Sequence, residues 1–239
     1  MTGRTRWMAL LPASKAVTDI DGAPPWSEVA SGPALDVLDA LGDRDRGDHD
    51  TPLSQRGTAR AWQRYDGVVH RAADPGSLDG ADRRRWHRHV AYISALAGLV
   101  RPTDRLPAYR LEMAAVVDPL GGLGPFWRPH VTAALDAALT PGGVVWLLTG
   151  GEYARAVHVP EGRTLFEPRF VRPDGERAMP SATVKQARGQ LARALVTHPD
   201  LARDPWHDDW WWVGLEAAGA PVRLHQVTDD GTQVWRRDA

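Results

Sequence analysis

The chain has 239 residues, 43% of them hydrophobic, a formal net charge of -1 and a pI near 6.8. This length suffices to bury the core of one domain, and the near-neutral charge excludes a general attraction to nucleic acid or membranes, so a polyanion site would have to be a local patch. Because the chain has no cysteine, disulfides, iron–sulfur clusters, thiolate zinc sites and a cysteine nucleophile are also excluded.

Lysine is unusually rare in this chain. Only two of the 29 basic residues are lysines, Lys15 and Lys185, and the others are arginines. Arginine stays protonated, whereas a desolvated lysine can lose its proton and act as a nucleophile or a base. The two lysines are therefore candidates for chemistry, although replacement of lysine by arginine in a GC-rich genome explains the same composition.

The amino-terminal segment predicts a buried strand over residues 7–11, which ends at Pro12. The loop that follows, with Ser14 and Lys15, would then lie at the end of a sheet strand, where α/β proteins bind ligands. The apolar run is too short for a signal peptide or a membrane span, so we expect a soluble, cytoplasmic protein without a membrane partner.

The next segment is polar and rich in turns, with a weak helical pattern at residues 34–41. The charged stretch at residues 42–50 offers Asp48, His49 and Asp50 as metal ligands, but such compensating charges are more typical of a solvated loop, and we predict no metal site. Strands or short buried helices are predicted at residues 65–70 and 89–96.

A basic run at residues 81–89 has two interpretations. Arg83 and Arg84 would contact phosphates while Trp86 stacks on a base, which is the combination that single-stranded nucleic acid binding uses. A solvated helix face with one core-facing tryptophan explains the same residues.

The middle of the chain predicts a strand at residues 112–117, a glycine loop at 121–124, a helix at 129–139 with proline in its first turn, and a buried strand at 144–148. The glycine loop lacks the Lys and Ser/Thr of a P-loop and the spacing of a dinucleotide fingerprint. Glu152 and Tyr153 follow the last of these strands, so they repeat the position proposed for Lys15 at a strand's carboxyl end.

The clearest helical pattern covers residues 181–196, with Ser181 as a plausible N-cap. Lys185 and Arg188 lie three residues apart and therefore at neighbouring positions on this helix. A β-hairpin is predicted at residues 222–227 and 233–236.

Residues 204–213 contain His207, Asp208 and Asp209 followed by three tryptophans. A metal cluster or an aromatic cage is one interpretation, but a helix with acidic residues in its first turn and tryptophans in the core is favoured. Together these elements predict one α/β (mixed α+β) domain over residues 1–239, with a central mixed sheet flanked by helices.

The densest polar block is residues 101–113, which contains three arginines, a tyrosine and two carboxylates, and two prolines that fix its shape. Guanidinium groups oriented by such partners can hold an anion. A structural salt-bridge network has the same composition, so the block alone does not separate a site from a scaffold.

Two adjacent runs make the sequence resemble the YaaA family of peroxide stress proteins. These are ISALAGLVRPTD at residues 93–104 and PAYRLEM at residues 107–113, which match the family block LSGLYGxLRPxDxxxPYRLEMG. Further matches follow in the family's order at LLPASK (residues 10–15), Phe126-Trp127, Glu152-Tyr153 and KQARG (residues 185–189). The resemblance spans residues 7–196 and includes both lysines.

The resemblance implies one mixed α/β domain with a positively charged cleft, DNA binding through a helix-hairpin-helix-like element around residues 95–105, and a role in limiting oxidative DNA damage. If the matching blocks meet in space, one cleft is flanked by Asp104 and Glu112 and lined by Lys15, Arg101, Tyr109, Arg110, Glu152, Lys185 and Arg188. The chain departs from the family pattern where Ser14 directly precedes Lys15, where Ala114 replaces a glycine and where Gln186 replaces a second lysine.

Two functions agree with these residues. The first is a DNA- or nucleotide-binding stress protein, in which Arg83, Arg84 and Arg188 contact phosphates. The second is an enzyme acting on a nucleobase, a nucleotide or another small anionic metabolite, for which no cofactor is predicted. Its groups would be Lys15 or Lys185 as nucleophile or base, Glu112 or Glu152 for proton transfer, Tyr109 as a hydrogen-bond donor, and Ser14, Arg101, Asp104, Arg110 and Tyr153 as ligand-binding residues.

Overall fold

The computed structural model describes residues 3–18, 20, 22, 24–42, 51–171, 180–204, 215–217, 220–227 and 233–237. The strands are β1 (Thr5–Pro12), β2 (Thr58–Arg60), β3 (Val90–Ser94), β4 (Gly98–Val100), β5 (Arg105–Pro107), β6 (Val116–Val117), β7 (Gly121–Gly122), β8 (Leu139–Leu147), β9 (Thr164–Phe166), β10 (Arg169–Val171), β11 (Leu215–Ala217), β12 (Ala220–Val227) and β13 (Gln233–Arg237). The helices are α1 (Trp26–Val29), α2 (Pro33–Leu41), α3 (Ala61–Arg64), α4 (Val68–Ala73), α5 (Gly80–His89), α6 (Leu123–Ala138), α7 (Glu152–Arg155) and α8 (Ser181–Thr197), with short 3-10 turns at Leu53–Gln55, Pro75–Ser77 and Leu201–Arg203.

A five-stranded mixed sheet forms the centre of the molecule, in the order β4-β3-β1-β8-β9. Strand β1 pairs in parallel with β3 and β8, β9 continues the parallel pairing at one edge, and β4 runs antiparallel to β3 at the other edge. Strands covered on both faces are continuous apolar runs. Residues 7–11 of β1 fit this rule, because each is 1% exposed or less. The predicted strand and the mixed α/β fold class are therefore confirmed.

Helix α8 packs against the sheet and against α4, and it confirms the helix predicted over residues 181–196. Its buried positions include Ala187, Leu191 and Leu195, which follow the helical spacing seen in the sequence. The expected N-cap was wrong by one residue. Pro180 holds the extended N-cap conformation and Ser181 is already helical, without a side-chain cap.

Helix α6 begins six residues before the predicted start, which was placed at Pro129. Proline is common in a first helical turn, but here it lies inside the helix. Buried apolar residues recur every four positions on the face toward the core, namely Leu123, Trp127, Val131 and Leu135. Their burial outweighs the cost of about 3 kcal/mol that an interior proline imposes.

Two further predictions were wrong because of tight turns. The strand expected at residues 112–117 is reduced to β6, and the glycine loop supplies its antiparallel partner β7. The helix-hairpin-helix-like element expected around residues 95–105 is instead a strand–turn–strand unit, since β3 turns back into β4. At the turn Gly98 has a φ of 66°, and a Cβ there would lie 2.5 Å from the Trp127 ring. Glycine permits this close approach.

The remaining predictions divide between confirmed elements and segments outside the described residues. Strands β12 and β13 form the antiparallel hairpin predicted near the carboxyl end, within a second sheet of order β10-β13-β12-β11. Helix α2 confirms the weak pattern at residues 34–41, and the pattern at 65–70 corresponds to α4. The possible metal ligands Asp48, His49, Asp50, His207, Asp208 and Asp209 lie outside the described residues. In the part that is described, no three His, Asp or Glu side chains form a metal-binding group, and no helix is long and apolar enough to cross a membrane.

Candidate functional site

A cleft of about 380 Å³ opens at the carboxyl ends of the parallel strands β1 and β8. The loop after β1 and the loop after β8 form two of its walls, and the start of α4 and one face of α8 form the others. Ligands of open α/β sheets bind outside the carboxyl ends of strands. The lining residues are Pro12, Ala13, Ser14, Lys15, Ala16, Gly67, Val68, Val69, His70, Arg71, Thr149, Gly150, Tyr153, Lys185 and Arg188.

Three glycines allow the walls of the cleft to approach one another. A Cβ on Gly67 would lie 2.4 Å from the Ser14 Oγ, and one on Gly150 would lie 3.0 Å from an Arg188 guanidinium nitrogen. A Cβ on Gly189 would lie 2.1 Å from the Val69 carbonyl oxygen. The backbones of α8 and α4 are therefore in direct contact at this position. Close packing at these points sets the width of the cleft.

Four basic side chains line the cleft, and two of them have acidic partners. The Lys15 Nζ lies 2.6 Å from a Glu112 carboxylate oxygen, and an Arg71 guanidinium nitrogen lies 3.3 Å from Asp66. Within the part of the chain that the structure describes, Lys185 and Arg188 make neither a hydrogen bond nor an ion pair. No carboxylate is among the lining residues. Lys185 and Arg188 are therefore available to an external anion.

Arg188 is half-buried, and its surroundings set its charge properties. Burial lowers the pKa of its guanidinium, and the carboxylate of Glu167 opposes that shift. Arginine nevertheless remains protonated at any physiological pH. The structure thus holds a permanent positive charge in a partly desolvated position, where its attraction to an anion is stronger than in water.

Neutral polar groups complete the cleft. The His70 Nε2 lies 3.0 Å from the Pro12 carbonyl oxygen, and burial lowers the imidazole pKa to about 4, so His70 is neutral at pH 7. Burial, followed by the nearby Glu112 carboxylate, raises the pKa of Tyr153. The hydroxyl of Thr149 is buried, and no described residue accepts from it or donates to it. A buried hydroxyl without a hydrogen bond costs free energy.

Several predicted site residues lie away from this cleft. Tyr109 is 2% exposed and belongs to a buried hydroxyl cluster, with its Oη 2.7 Å from both the Tyr65 Oη and the Ser94 Oγ. Burial raises its pKa further above the usual value. Tyr109 therefore belongs to the buried core beside the sheet and does not line the cleft. This corrects its expected role as a hydrogen-bond donor to a ligand.

Arg101 and Asp104 lie at the opposite end of the strands from the cleft. Because β4 runs antiparallel to β3, it carries the chain from the carboxyl end of β3 back toward its amino end. There Arg101 donates to the Arg88 carbonyl oxygen at 3.2 Å, and Asp104 accepts from the Arg101 backbone N–H at 2.7 Å. Their expected place in the cleft was wrong, since both serve the turn that follows β4.

Three other predicted residues are not among those that line the cleft. Arg110 and Glu112 line a neighbouring cavity of about 430 Å³, from which Glu112 reaches Lys15. Glu152 pairs with Arg155 on α7 and is not a lining residue, whereas the adjacent Tyr153 is. Of the two adjacent residues predicted for the cleft, only Tyr153 lines it.

In the basic helix α5, the tryptophan faces the core and the arginines lie on the outer face, which is the second of the two interpretations of this run. Trp86 is fully buried, and its Nε1 donates to the Tyr92 hydroxyl at 3.3 Å, so its expected stacking on a base is wrong. Arg83 donates to the carbonyl oxygens of Gly76 and Leu78, while Arg84 is exposed. Neither arginine lines the cleft.

The structure brings Ser14, Lys15, Tyr153, Lys185 and Arg188 together as expected from their motifs. It adds cleft residues that the sequence analysis did not single out, namely Gly67, His70, Arg71, Thr149 and Gly150. Thr149 and Gly150 directly follow the buried strand β8, so their position at a strand end was the signal that pointed to them. His70 and Arg71 gave no such signal, because their place depends on how α4 packs.

Comparison with the sequences of known proteins shows which family the chain resembles. The sequence model described as peroxide stress protein YaaA matches residues 37–200. The chain belongs to this family. Its curated relatives include UPF0246 proteins of Ruegeria sp. (strain TM1040) and Streptomyces coelicolor, each 35% identical over 148 residues. These matches cover 59% and 62% of this chain, and 59% and 51% of the relatives, so the chain spans only between half and two thirds of their length.

Proposed function

We propose that this YaaA family member binds a nucleotide-like anion, either a nucleotide or a DNA strand, in the cleft at the carboxyl ends of β1 and β8. The observation that carries the proposal is the pair Lys185 and Arg188, which face the cleft without an ion pair or a hydrogen bond to the described residues. The family name connects this binding to protection against peroxide stress.

The size and lining of the cleft support this proposal. Its volume of about 380 Å³ lies in the range of small-molecule sites, which measure roughly 300–1,000 Å³. Apolar groups such as Pro12, Val69 and the Tyr153 ring can contact the body of a ligand, while the cations bind its charged end. A single strand offers the same chemistry, and its affinity would fall steeply with salt.

An enzyme acting on such a ligand is the second candidate. The observation that favours it is the contact between Lys15 and Glu112, because a carboxylate 2.6 Å from an amine can exchange a proton with it. Lys185 lies in the same cleft as neutral His70. A lyase or glycosylase that forms an imine on one of the two lysines is the concrete form of this proposal.

The test is a titration of nucleosides, nucleotides, short single strands and duplexes at two salt concentrations. Wild type is compared with a Lys15→Arg, Lys185→Arg double variant, which keeps both charges, and with a Lys185→Gln variant, which removes one. Binding that survives the arginine variant and weakens in Lys185→Gln supports a binding protein. If no nucleic acid component binds to wild type, the proposal fails.

The enzymatic candidate has its own readout. An imine between a lysine and an aldehyde-bearing substrate is reduced by borohydride to a stable adduct, and the Lys→Arg double variant cannot form it. Mass spectrometry then assigns the modified lysine. Absence of any adduct on wild type, with substrate turnover still measurable, would rule out the imine.

A further inference from the structure

The four basic residues that line the cleft fall into two pairs, one with ion-pair partners and one without. Lys15 and Arg71 are each paired with a carboxylate, whereas Lys185 and Arg188 make no ion pair within the described residues, although the Glu167 carboxylate lies near enough to act on Arg188. Because they lie three residues apart on α8, Lys185 and Arg188 occupy neighbouring positions and face the same part of the cleft. Two adjacent positive charges thus face the cleft without a close ion pair.

We infer that Lys185 and Arg188 form a subsite for a terminal phosphate, a phosphomonoester dianion, with the Thr149 hydroxyl beside it. This inference rests on the proposed function and makes it specific. A phosphomonoester carries a charge of about -1.5 to -2 at pH 7, which two adjacent cations can balance. A carboxylate or an internal phosphodiester carries a single charge and would leave one cation unpaired.

The Arg188 guanidinium packs on backbone and makes no ion pair with a described carboxylate. A Cβ on Gly150 would lie 3.0 and 3.2 Å from the two terminal guanidinium nitrogens of Arg188 and 3.5 Å from its Cζ. The whole guanidinium group therefore lies against the Gly150 backbone. Packing holds the planar fork in place while its donors stay unused by the described residues, which suits bidentate recognition of a phosphate.

Thr149 gives a second, independent observation that points to a ligand. The residue is fully buried in the wall of the cleft, next to Gly150, and its Oγ1 has no partner among the described residues. A buried hydroxyl without a hydrogen bond costs free energy that a bound oxyanion can recover. The proposed subsite thus takes Thr149 from the loop after β8 and two cations from α8.

The experiment compares ligands that differ only in the phosphate. Nucleoside 5′-monophosphates are titrated beside the matching nucleosides and 3′,5′-cyclic monophosphates, and a 5′-phosphorylated hexanucleotide beside its unphosphorylated form. We expect each monoester to bind about tenfold or more tightly than its two partners. Tight binding of the mononucleotide identifies a small-molecule source of the phosphate, and preference for the phosphorylated strand identifies a nucleic-acid end.

Variants locate the subsite. Arg188→Gln and Lys185→Gln are expected to reduce monoester affinity by about tenfold or more, and Arg188→Lys to recover only part of it because the fork is lost. Gly150→Ala is expected to weaken binding without changing charge, since its methyl group displaces the guanidinium. Arg4→Gln is the matched control, because Arg4 precedes β1 at the opposite end of that strand. Thermal denaturation verifies that each variant is folded.

The outcomes separate this inference from the proposed function. Equal affinity for monoesters, cyclic nucleotides and nucleosides would overturn the phosphate subsite and leave nucleotide binding in place. Unchanged monoester preference in Arg188→Gln would overturn it as well. If no nucleoside, nucleotide or strand binds, the proposed function itself fails.

Discussion

Individual side chains in the cleft differ most in whether they have a partner. Lys15 and Arg71 are held by carboxylates, while Lys185 and Arg188 make no ion pair and the Thr149 hydroxyl makes no hydrogen bond among the described residues. Lys185 is exposed, whereas a buried hydroxyl and a half-buried guanidinium without hydrogen bonds cost stability. The next two predictions test this cost residue by residue.

Thr149→Val is expected to stabilise the free protein. Valine has the same shape as threonine, and the substitution removes a buried hydroxyl that has no described partner. We expect the free energy of unfolding to rise by about 1 kcal/mol, measured by urea denaturation without ligand. A decrease of similar size would show that the hydroxyl has a partner in the folded protein.

His70 is expected to make stability depend on pH below neutrality. Burial lowers the pKa of its imidazole from 6.5 to about 4, so folding favours the neutral form. The resulting stability is fully present above pH 6.5 and is lost as the pH falls from 6.5 toward 4. The complete loss amounts to about 3 kcal/mol.

The measurement compares wild type with His70→Gln between pH 7 and 4.5. The glutamine amide nitrogen can still donate to the Pro12 carbonyl oxygen, but it does not titrate. His89, whose pKa is also lowered to about 4, stays in both proteins and cancels in the comparison. Wild type should lose more unfolding free energy than the variant over this range. Equal losses would contradict a neutral, buried His70.

At the scale of elements, two loops and two helices position the cleft. The loops follow β1 and β8, and α8 brings Lys185 and Arg188 toward them because Gly189 lets it pack closely on α4. The exposed pair Lys15–Glu112 connects the β1 loop to the segment before β6. Each of these contacts has its own consequence for stability or affinity.

Gly189→Ala is expected to separate α8 from α4. The added Cβ would lie 2.1 Å from the Val69 carbonyl oxygen and 2.9 Å from the Ala72 Cβ, and neither atom belongs to a side chain that can move aside. We expect a loss of about 2 kcal/mol or more in unfolding free energy, measured by urea denaturation. Gly3→Ala is the control, since a Cβ there meets nothing within 4 Å. Equal stability of the two variants would contradict the packing.

Glu112→Gln is expected to strengthen anion binding without affecting stability. Both members of the Lys15–Glu112 pair are mostly exposed, so the pair contributes at most about 1 kcal/mol. Removing the carboxylate frees Lys15 and should raise monophosphate affinity by roughly threefold at low salt, and less at high salt. Glu152→Gln is the control, because Glu152 pairs with Arg155 outside the cleft. A weaker affinity in Glu112→Gln would contradict this account.

Elements with regular apolar spacing were predictable, and those set by tertiary contacts were not. The helix at residues 181–196 and the strands at 7–11 and 144–148 follow from periodicity. The start of α6 was missed because Pro129 is an interior proline whose cost is offset by packing. Arg101 was misplaced because it is close in sequence to cleft motifs. Only the antiparallel pairing of β4 with β3 shows that Arg101 lies at the other end of the strands, away from the cleft.

For the whole molecule, a local cluster of charge matters more than the total. The net charge is -1, yet four basic residues and no carboxylate line the cleft within the described chain. Of the basic residues that the YaaA motifs placed in the cleft, Lys15, Lys185 and Arg188 line it, whereas Arg101 and Arg110 do not, and Arg71 was not predicted. Their exact partners required the packed structure. Since the chain spans only part of its relatives' length, its activity is best tested on this chain itself.

The most direct test of the central claim is a crystal structure of this protein soaked with the nucleoside 5′-monophosphate that binds best. We predict that its phosphate oxygens lie within about 3 Å of the Arg188 guanidinium and the Lys185 Nζ, at the carboxyl ends of β1 and β8. A nucleotide bound at another surface, with this cleft left empty, would contradict the account.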